Sequence, residues 1–426
     1  MADFVEDLRF RGLIHQMTDP SLGERLDGGR MTVYSGFDPT ADSLHVGSLL
    51  QLCTLRRFQA AGHRPIALAG GGTGFVGDPG GKSEERSLLT EEQLEANLAG
   101  IQAQLARFVE FDGAGSGAVL ANNADWLAPM PLFRFLRDVG KHFTVNQMVA
   151  KESVRSRLSR ADHGISYTEF SYMLLQAYDF LHLFDAFDCT LQIGGSDQWG
   201  NITMGIELIR KVRRSEAFGL TSPLVLKADG TKFGKTESGT VWLDAARTSP
   251  YQLHQFFLNS EDAMVGTYLR FFTFLPHEEL LALDRATREH PERREAHRVL
   301  AGEVCTLVHG ADETARAEHA AGALFGGELA GLDERTLLDV FADAPSTDLA
   351  RSRLEGEGAL VVDLLAETGL VASKSQARTA VGQGGAYVNN VRVEDLAHRL
   401  TAADLLDDRY LVLRRGKKDH RLLRFG

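Results

Sequence analysis

The sequence predicts an α/β protein: a Rossmann-like domain built on a parallel sheet, then a helical domain, then a small α+β domain. Three observations carry that expectation. Short β-prone runs alternate with stretches of helical periodicity through the first half of the chain. From about Ser249 to Phe325 the strand signals thin out and apolar residues recur at helical spacing. The end of the chain returns to mixed signals and carries a basic terminus.

The elements follow in order. Arg30–Phe37 (RMTVYSGF) is a short β-prone run that closes on Gly36 and Asp38-Pro39. His45–Ala61 then shows helical periodicity through Leu49, Leu50, Leu52, Leu55 and Phe58. Arg64–Ala69 (RPIALA) is a second apolar strand that breaks into GGGTGFVGDPGG. Thr90 opens a helix with a capping-box spacing to Gln93. Ala118–Asn122 and Thr190–Ile193 read as further strands with helices between and after them. In parallel sheets ligands gather at the carboxyl ends of strands, and the Gly-rich and polar stretches here follow strand ends. The expected division is a Rossmann-like domain over 1–246, a helical domain over 247–341, a polar linker over 342–357 and an α+β domain over 358–426.

Bulk properties narrow the function classes. A chain of 426 residues with 43% hydrophobic and 24% charged residues is ordinary globular composition, and its length exceeds one compact core. Cys53, Cys189 and Cys305 lie far apart without C-x-x-C spacing, so a reducing cytoplasm is expected, with no zinc knuckle and no disulfide framework. The N-terminus does not read as a signal peptide, and no run approaches the roughly 18 apolar residues of a membrane span. Net charge is −12. Its distribution is uneven: Arg351–Gly426 holds 13 Lys+Arg against 10 Asp+Glu, and from Arg409 onward the count is 7 against 1. An acidic body with a basic tail confines any nucleic-acid contact to one region.

Two motifs point to phosphate chemistry. In YSGFDPTADSLHVGS a strand ends at Gly36, and His45 and Gly47 fall at the first turn of a helix, where free N–H groups and the dipole favour phosphate. Alone, H-x-G is more often an ordinary strand–turn–helix. In ADGTKFGKTESG, Lys232 and Lys235 flank Gly234 and make a mobile cationic loop able to close on a triphosphate. Its glycine spacing is not that of a P-loop. Between these motifs, Tyr172, Gln176 and Asp179 fall at i, i+4 and i+7, a polar stripe on one helix face. A packed core would not welcome three polar groups there.

In combination, the His-x-Gly signature, the Lys-x-x-Lys-Thr loop, Tyr172-x-x-x-Gln176-x-x-Asp179 and Gln192-Ile-Gly-Gly-Ser-Asp-Gln-Trp-Gly-Asn201 resemble class I aminoacyl-tRNA synthetases, and specifically the tyrosyl-tRNA synthetases. The resemblance implies ATP-dependent activation of L-tyrosine and its transfer to tRNA(Tyr). It places Tyr34 and Asp179 on the substrate phenol, Tyr172, Gln176 and Asp78 on its α-ammonium group, Gln192 in the tyrosine site and Gln198 near the reacting carboxylate. Gly36, Asp38, Gly47, Ser48, Gly195 and Asp197 would surround the adenosine, with Asp197 on the ribose and Ser35 in reach of it. Thr40, His45, Lys232, Lys235 and Thr236 would stabilise the departing pyrophosphate, with Lys82 and Arg86 as weaker candidates. ATP is then a substrate, Mg²⁺ accompanies it, and no protein-bound metal is expected. Ser48 departs from the usual His-x-Gly-His, and Ser35 stands where relatives often have cysteine; neither change removes a charge-stabilising group.

The C-terminal stretch LLAETGLVASKSQARTAVGQGGAYVNNVRV looks like an S4-type RNA-binding domain. Lys374, Arg378, Arg414, Lys417 and Lys418 are the candidates for tRNA phosphates, with Arg415 in the same basic run. Asn146, Glu152, Trp199, Arg210 and Lys211 match family positions implicated at the acceptor end. The family also implies a homodimer, formed through the Leu132–Ser159 region. A sibling enzyme that charges tryptophan shares the fold, but would be expected to lack both the Tyr34/Asp179 pair and the C-terminal module.

Overall fold

Six strands form the sheet that the alternating pattern calls for: β1 (Gln16–Met17), β2 (Thr32–Phe37), β3 (Arg64–Ala69), β4 (Val119–Asn122), β5 (Cys189–Gly195) and β6 (Phe218–Ser222), in the order β1-β6-β5-β2-β3-β4. This computed structural model describes residues 3–78, 89–111, 116–151, 154–155, 158, 164–231, 233–236, 239–417 and 419–426, with the side chains of 235 and 236 outside the description. All neighbours are parallel except β1, which runs antiparallel on β6. β3 is buried from Pro65 to Ala69, as a parallel strand covered on both faces must be. Helices Val46–Ala60 and Glu91–Phe108 follow β2 and β3, and the Thr90/Gln93 capping box starts the second of them as expected. Helix Tyr167–Phe187, capped by Ser166 and ended by left-handed Asp188, buries Tyr172, Met173, Ala177, Asp179 and Phe180. β6 was not anticipated: its five residues are all buried, but Gly219 and two hydroxyl residues hide the apolar pattern.

The chain divides into two compact units, Met1–Arg247 with Ser260–Ala296, and Thr248–Asn259 with His297–Gly426. This differs from the expected boundary at 246/247. Buried arginines supply the reason that helix Asp262–Phe272 belongs with the sheet. Arg57 Nη2 donates to Arg270 O (3.1 Å) and Thr273 O (2.5 Å), and Arg11 donates to Thr273 O (3.2 Å) and Leu275 O (2.7 Å). The Arg270 and Thr273 carbonyls lie at the C-terminal end of that helix, where intrahelical donors run out.

In the second unit, β9 (Ser346–Leu349), β11 (Ala386–Val388), β12 (Val391–Arg392), β14 (Tyr410–Arg415) and β15 (Asp419–Phe425) form a sheet in the order β12-β11-β14-β15-β9, and β10 (Ala359–Leu360) pairs with β13 (Arg399–Leu400); in the first unit β7 (Lys235–Thr236) pairs with β8 (Gly239–Thr240). The expected linker 342–357 is therefore corrected: its residues 346–349 pair in parallel with 422–425. Polar composition concealed the strand because its side chains alternate between exposed and half-buried. The sheet has helices on both faces. Tyr410, Val412 and Leu422 pack with helix residues Tyr251, Cys305 and Ala317, whereas Leu411, Leu413 and Leu423 pack with Val361, Leu365 and Val381. Alternate residues of one strand thus enter two different cores.

Candidate active site

The sheet order reverses between β2 and β5, since β3 and β4 extend one side and β6 the other. The crevice at the carboxyl ends of such a pair is where open α/β sheets bind ligands. A cavity of about 320 Å³ opens there. From the amino-acid set it is lined by Tyr34, Asp78, Tyr172, Gln176, Asp179, Gln192 and Gln198. From the nucleotide set it is lined by Gly36, Asp38, Gly47, Ser48, Gly195 and Asp197, together with Ser35, Thr40 and His45. Lys82, Arg86, Glu152, Lys232 and Lys418 lie outside the described residues, and the side chains of Lys235 and Thr236 are not described.

The deepest part of the cavity sets buried polar groups side by side. Tyr34 on β2 and Gln192 on β5 are register partners, so they sit side by side. Tyr34 Oη and Gln192 Oε1 are both buried without a hydrogen-bond partner among the described residues. Asp179, 2% exposed, receives Trp126 Nε1–H on Oδ1 (2.7 Å) and Asn123 Nδ2–H on Oδ2 (2.9 Å). Burial pushes its carboxyl up to about 7, against the pull of those two donors. Burial, with Asp179 nearby, also holds the Tyr34 phenol well above its ordinary range. Above about pH 7 the site presents a neutral O–H and a carboxylate to whatever enters.

Further out, the polar face of helix Tyr167–Phe187 meets the loop after β3 and the turn after β5. The Tyr172 hydroxyl donates to Asp38 Oδ2 (2.8 Å), Gln176 Nε2 to Gln198 Oε1 (3.2 Å), and Gln198 Nε2 to Asp78 Oδ2 (2.8 Å). Two carboxylates and three neutral acceptors converge here, which is the chemistry an ammonium group needs. Sequence reasoning missed Thr73, Asn123 and Trp126. The signal was present for two of them: Thr73 lies in the Gly-rich turn after β3, and Asn123 directly follows β4, both strand carboxyl ends.

At the nucleotide end His45 is the N-cap of helix Val46–Ala60, its Nδ1 accepting from Gly47 N–H (3.0 Å). The two signature motifs are joined through the backbone. Val46 N–H donates to Val241 O (3.1 Å), Leu243 N–H to Leu44 O (2.8 Å), and Val241 N–H to Gly234 O (3.0 Å). The hairpin of β7 and β8 therefore stands beside the helix start. Gly234 has φ +86°, and a Cβ there would lie 2.4 Å from Val46 Cγ2, so only glycine fits.

The basic residues of the second unit separate into two groups. Arg378, Arg415 and Lys417 are exposed, and Lys374 is exposed while paired with Asp363 (2.8 Å). Gly416 N–H donates to Gly385 O (2.9 Å), which ties the basic turn to the segment after helix Lys374–Gly382. Arg414 is corrected. It shares strand parity with Tyr410 and Val412, is 7% exposed, lies over the Tyr387 ring (3.7 Å) and donates to Asn390 Oδ1 (2.9 Å). Its guanidinium serves the fold. Of the acceptor-end candidates, Asn146 is exposed and Trp199 half-buried, while Arg210 and Lys211 pair with Glu207 (2.8 and 3.2 Å).

The family of class I tRNA synthetases for W and Y matches residues 26–326, and the tyrosine–tRNA ligase SYY-like C-terminal domain matches 337–423. The tyrosine–tRNA ligase of Roseiflexus castenholzii is 55% identical over 424 residues, covering 100% of both chains. That of Geobacillus stearothermophilus is 52% identical over 426 residues, again covering 100% of both. Among solved structures, a C-terminally truncated mitochondrial tyrosyl-tRNA synthetase from Aspergillus nidulans superposes with TM-score 0.69 at 33% identity, covering 76% of this chain and 95% of that one. With a polar cavity at the sheet's switch point and these likenesses over the full length, the chain belongs to the class I tRNA synthetases and, within them, to the tyrosine–tRNA ligases.

Proposed function

We propose that this chain condenses L-tyrosine with ATP to tyrosyl-adenylate and pyrophosphate, then passes the tyrosyl group to the 3′-terminal adenosine of tRNA(Tyr). The observation that carries the reading is one cavity lined by the amino-acid and nucleotide candidates whose side chains are described. Tyrosine enters with its phenol at Tyr34 and Asp179 and its ammonium at Tyr172, Gln176 and Asp78. Its carboxylate, near Gln198, attacks the α-phosphate in line. Orientation and charge stabilisation supply the rate, with no enzyme nucleophile. Gly36, Asp38, Gly47, Ser48, Gly195 and Asp197 hold the adenosine. Thr40, His45, Lys232, Lys235 and Thr236 stabilise the leaving pyrophosphate, and Mg²⁺ comes with ATP, held mainly by phosphate oxygens and water. Lys374, Arg378, Arg415, Lys417 and Lys418 neutralise tRNA phosphates.

The chain acts in the cytoplasm as a homodimer. Leu132, Phe133 and Leu136 are 67%, 84% and 43% exposed on one short helix, an apolar face that a second copy would cover. Among the described residues no helix is long and apolar enough to cross a membrane. ATP–pyrophosphate exchange with each of the twenty amino acids, followed by aminoacylation of tRNA, tests the reading. Exchange with tyrosine alone and charging of tRNA(Tyr) are expected; equal exchange with phenylalanine or tryptophan would overturn it.

A further inference from the structure

We infer that Thr73 is a positioning residue that fixes the hydrogen-bond polarity of both ends of the tyrosine site at once. The inference rests on the proposed placement of phenol and ammonium given above. A continuous chain of hydrogen bonds joins the two ends. Asn123 Nδ2 donates to Asp179 Oδ2 (2.9 Å) and to Thr73 Oγ1 (2.9 Å). The Thr73 hydroxyl donates to Asp38 Oδ1 (2.8 Å), and the Tyr172 hydroxyl donates to Asp38 Oδ2 (2.8 Å). Thr73, Asn123, Tyr172 and Asp179 are all buried.

The direction of each bond is forced. A carboxylate only accepts, so the single Thr73 proton goes to Asp38 and the hydroxyl oxygen must accept from Asn123. The Asn123 carbonyl is pinned on the other side, accepting from Gly72 N–H (2.7 Å) and Thr73 N–H (3.4 Å). Its amide nitrogen therefore faces Asp179. Asp179 takes two donors and keeps lone pairs for a phenol O–H. Tyr172, its proton committed to Asp38, turns an oxygen lone pair toward an ammonium N–H. The Thr73 hydroxyl thus links two ends that both accept, which suits a substrate carrying a phenol O–H at one end and an ammonium at the other. Gly70 gives independent support: a Cβ there would lie 2.3 Å from Asp38 Oδ1 and 2.6 Å from Thr73 Oγ1, on top of the Thr73–Asp38 bond. The Gly-rich turn leaves room for that bond.

The test uses the full-length chain without ATP and measures Kd for tyrosine, phenylalanine (no phenol oxygen) and 3-(4-hydroxyphenyl)propionate (no ammonium). Thr73→Val keeps the shape and removes the hydroxyl; Thr73→Ser keeps the hydroxyl. Thr73→Val should lower the preference for tyrosine over each analogue about tenfold, and Thr73→Ser should restore both preferences. Gly70→Ala, which obstructs the same bond, should reproduce the Thr73→Val pattern and stands in for it should that variant not fold. Both preferences unchanged in Thr73→Val, or only one of them lowered, overturns the inference. Asp179→Ala and Tyr172→Phe are the controls for the underlying placement: should they leave the tyrosine preferences intact, it is that placement which fails.

Discussion

Replacing Tyr34 with phenylalanine removes one oxygen from the deepest part of the cleft and shifts two free energies in opposite directions. In the ligand-free protein the Tyr34 hydroxyl is buried with no partner among the described residues. An unsatisfied buried hydroxyl costs about 1–3 kcal/mol, so Tyr34→Phe should stabilise the empty protein by roughly 1 kcal/mol, read as a rise of about 2 °C in the unfolding midpoint. With tyrosine bound, the same hydroxyl would pair with the substrate phenol. Losing that neutral hydrogen bond costs about 0.5–1.5 kcal/mol, or roughly 2- to 13-fold in kcat/KM for tyrosine. Phenylalanine has no oxygen to pair and loses nothing, so the tyrosine-to-phenylalanine ratio falls by the same roughly 2- to 13-fold, the phenol keeping its proposed partner Asp179. Pyrophosphate exchange with both amino acids gives the ratio, and thermal unfolding without ligand gives the stability. An unchanged ratio, or a variant clearly less stable than the parent, would show that Tyr34 is packed for the fold rather than aimed at the substrate.

Other consequences concern pH, the hairpin and the second unit. Because burial raises the Asp179 carboxyl to about 7, protonation below that pH turns an acceptor into a donor, and tyrosine affinity should fall up to tenfold per unit as pH drops from 7 to 5; a flat Kd profile contradicts this. The folded form also binds that proton more tightly than the unfolded chain, whose carboxyl titrates near 3.8, so stability is lost as pH rises from about 4 to about 7. Gly234→Ala should slow adenylate formation by tenfold or more at unchanged tyrosine Kd, through displacement of the hairpin from the His45 helix start; a normal rate would show that the hairpin's seat is irrelevant. Cutting the chain at Arg351 should preserve pyrophosphate exchange and abolish tRNA charging. It also strips Tyr410, Val412 and Leu422 from the helices of the second unit, at about 1.5–3 kcal/mol each, so the truncated protein should bind hydrophobic dyes; full charging activity would refute the division of labour. Replacing Arg415 and Lys417 with Ala should weaken tRNA binding and flatten its salt dependence, whereas Arg414→Ala should lower stability instead, as its buried contacts to Asn390 and Tyr387 are lost.

Legibility in the sequence tracked how local each feature is. The strands β2, β3, β4 and β5 were readable because each is a short apolar run bounded by turn residues, and the Thr90 capping box fixed a helix start to the residue. The Tyr172, Gln176 and Asp179 stripe was readable from helical spacing, and the resemblance then gave its members roles. Three kinds of feature stayed hidden. β9 is polar because it is a sheet edge, and its pairing partner lies more than seventy positions away. Helix Asp262–Phe272 joined the first unit through main-chain carbonyls held by Arg11 and Arg57, contacts that leave no periodic trace. Arg414 looked like its exposed neighbour Arg415, and only strand parity separates them. Thr73, Asn123 and Trp126 were passed over because their role is toward other side chains, fixed by tertiary geometry rather than by spacing.

Asp179 is proposed to read the phenol of tyrosine in a nucleotide-binding cleft. Tyrosine-dependent ATP–pyrophosphate exchange by Asp179→Ala, beside the parent protein and with circular dichroism to verify folding, addresses it directly. The expected result is a folded variant in which exchange with tyrosine falls to the level seen with phenylalanine. A folded Asp179→Ala that exchanges with tyrosine as fast as the parent, and still prefers it over phenylalanine, would contradict it.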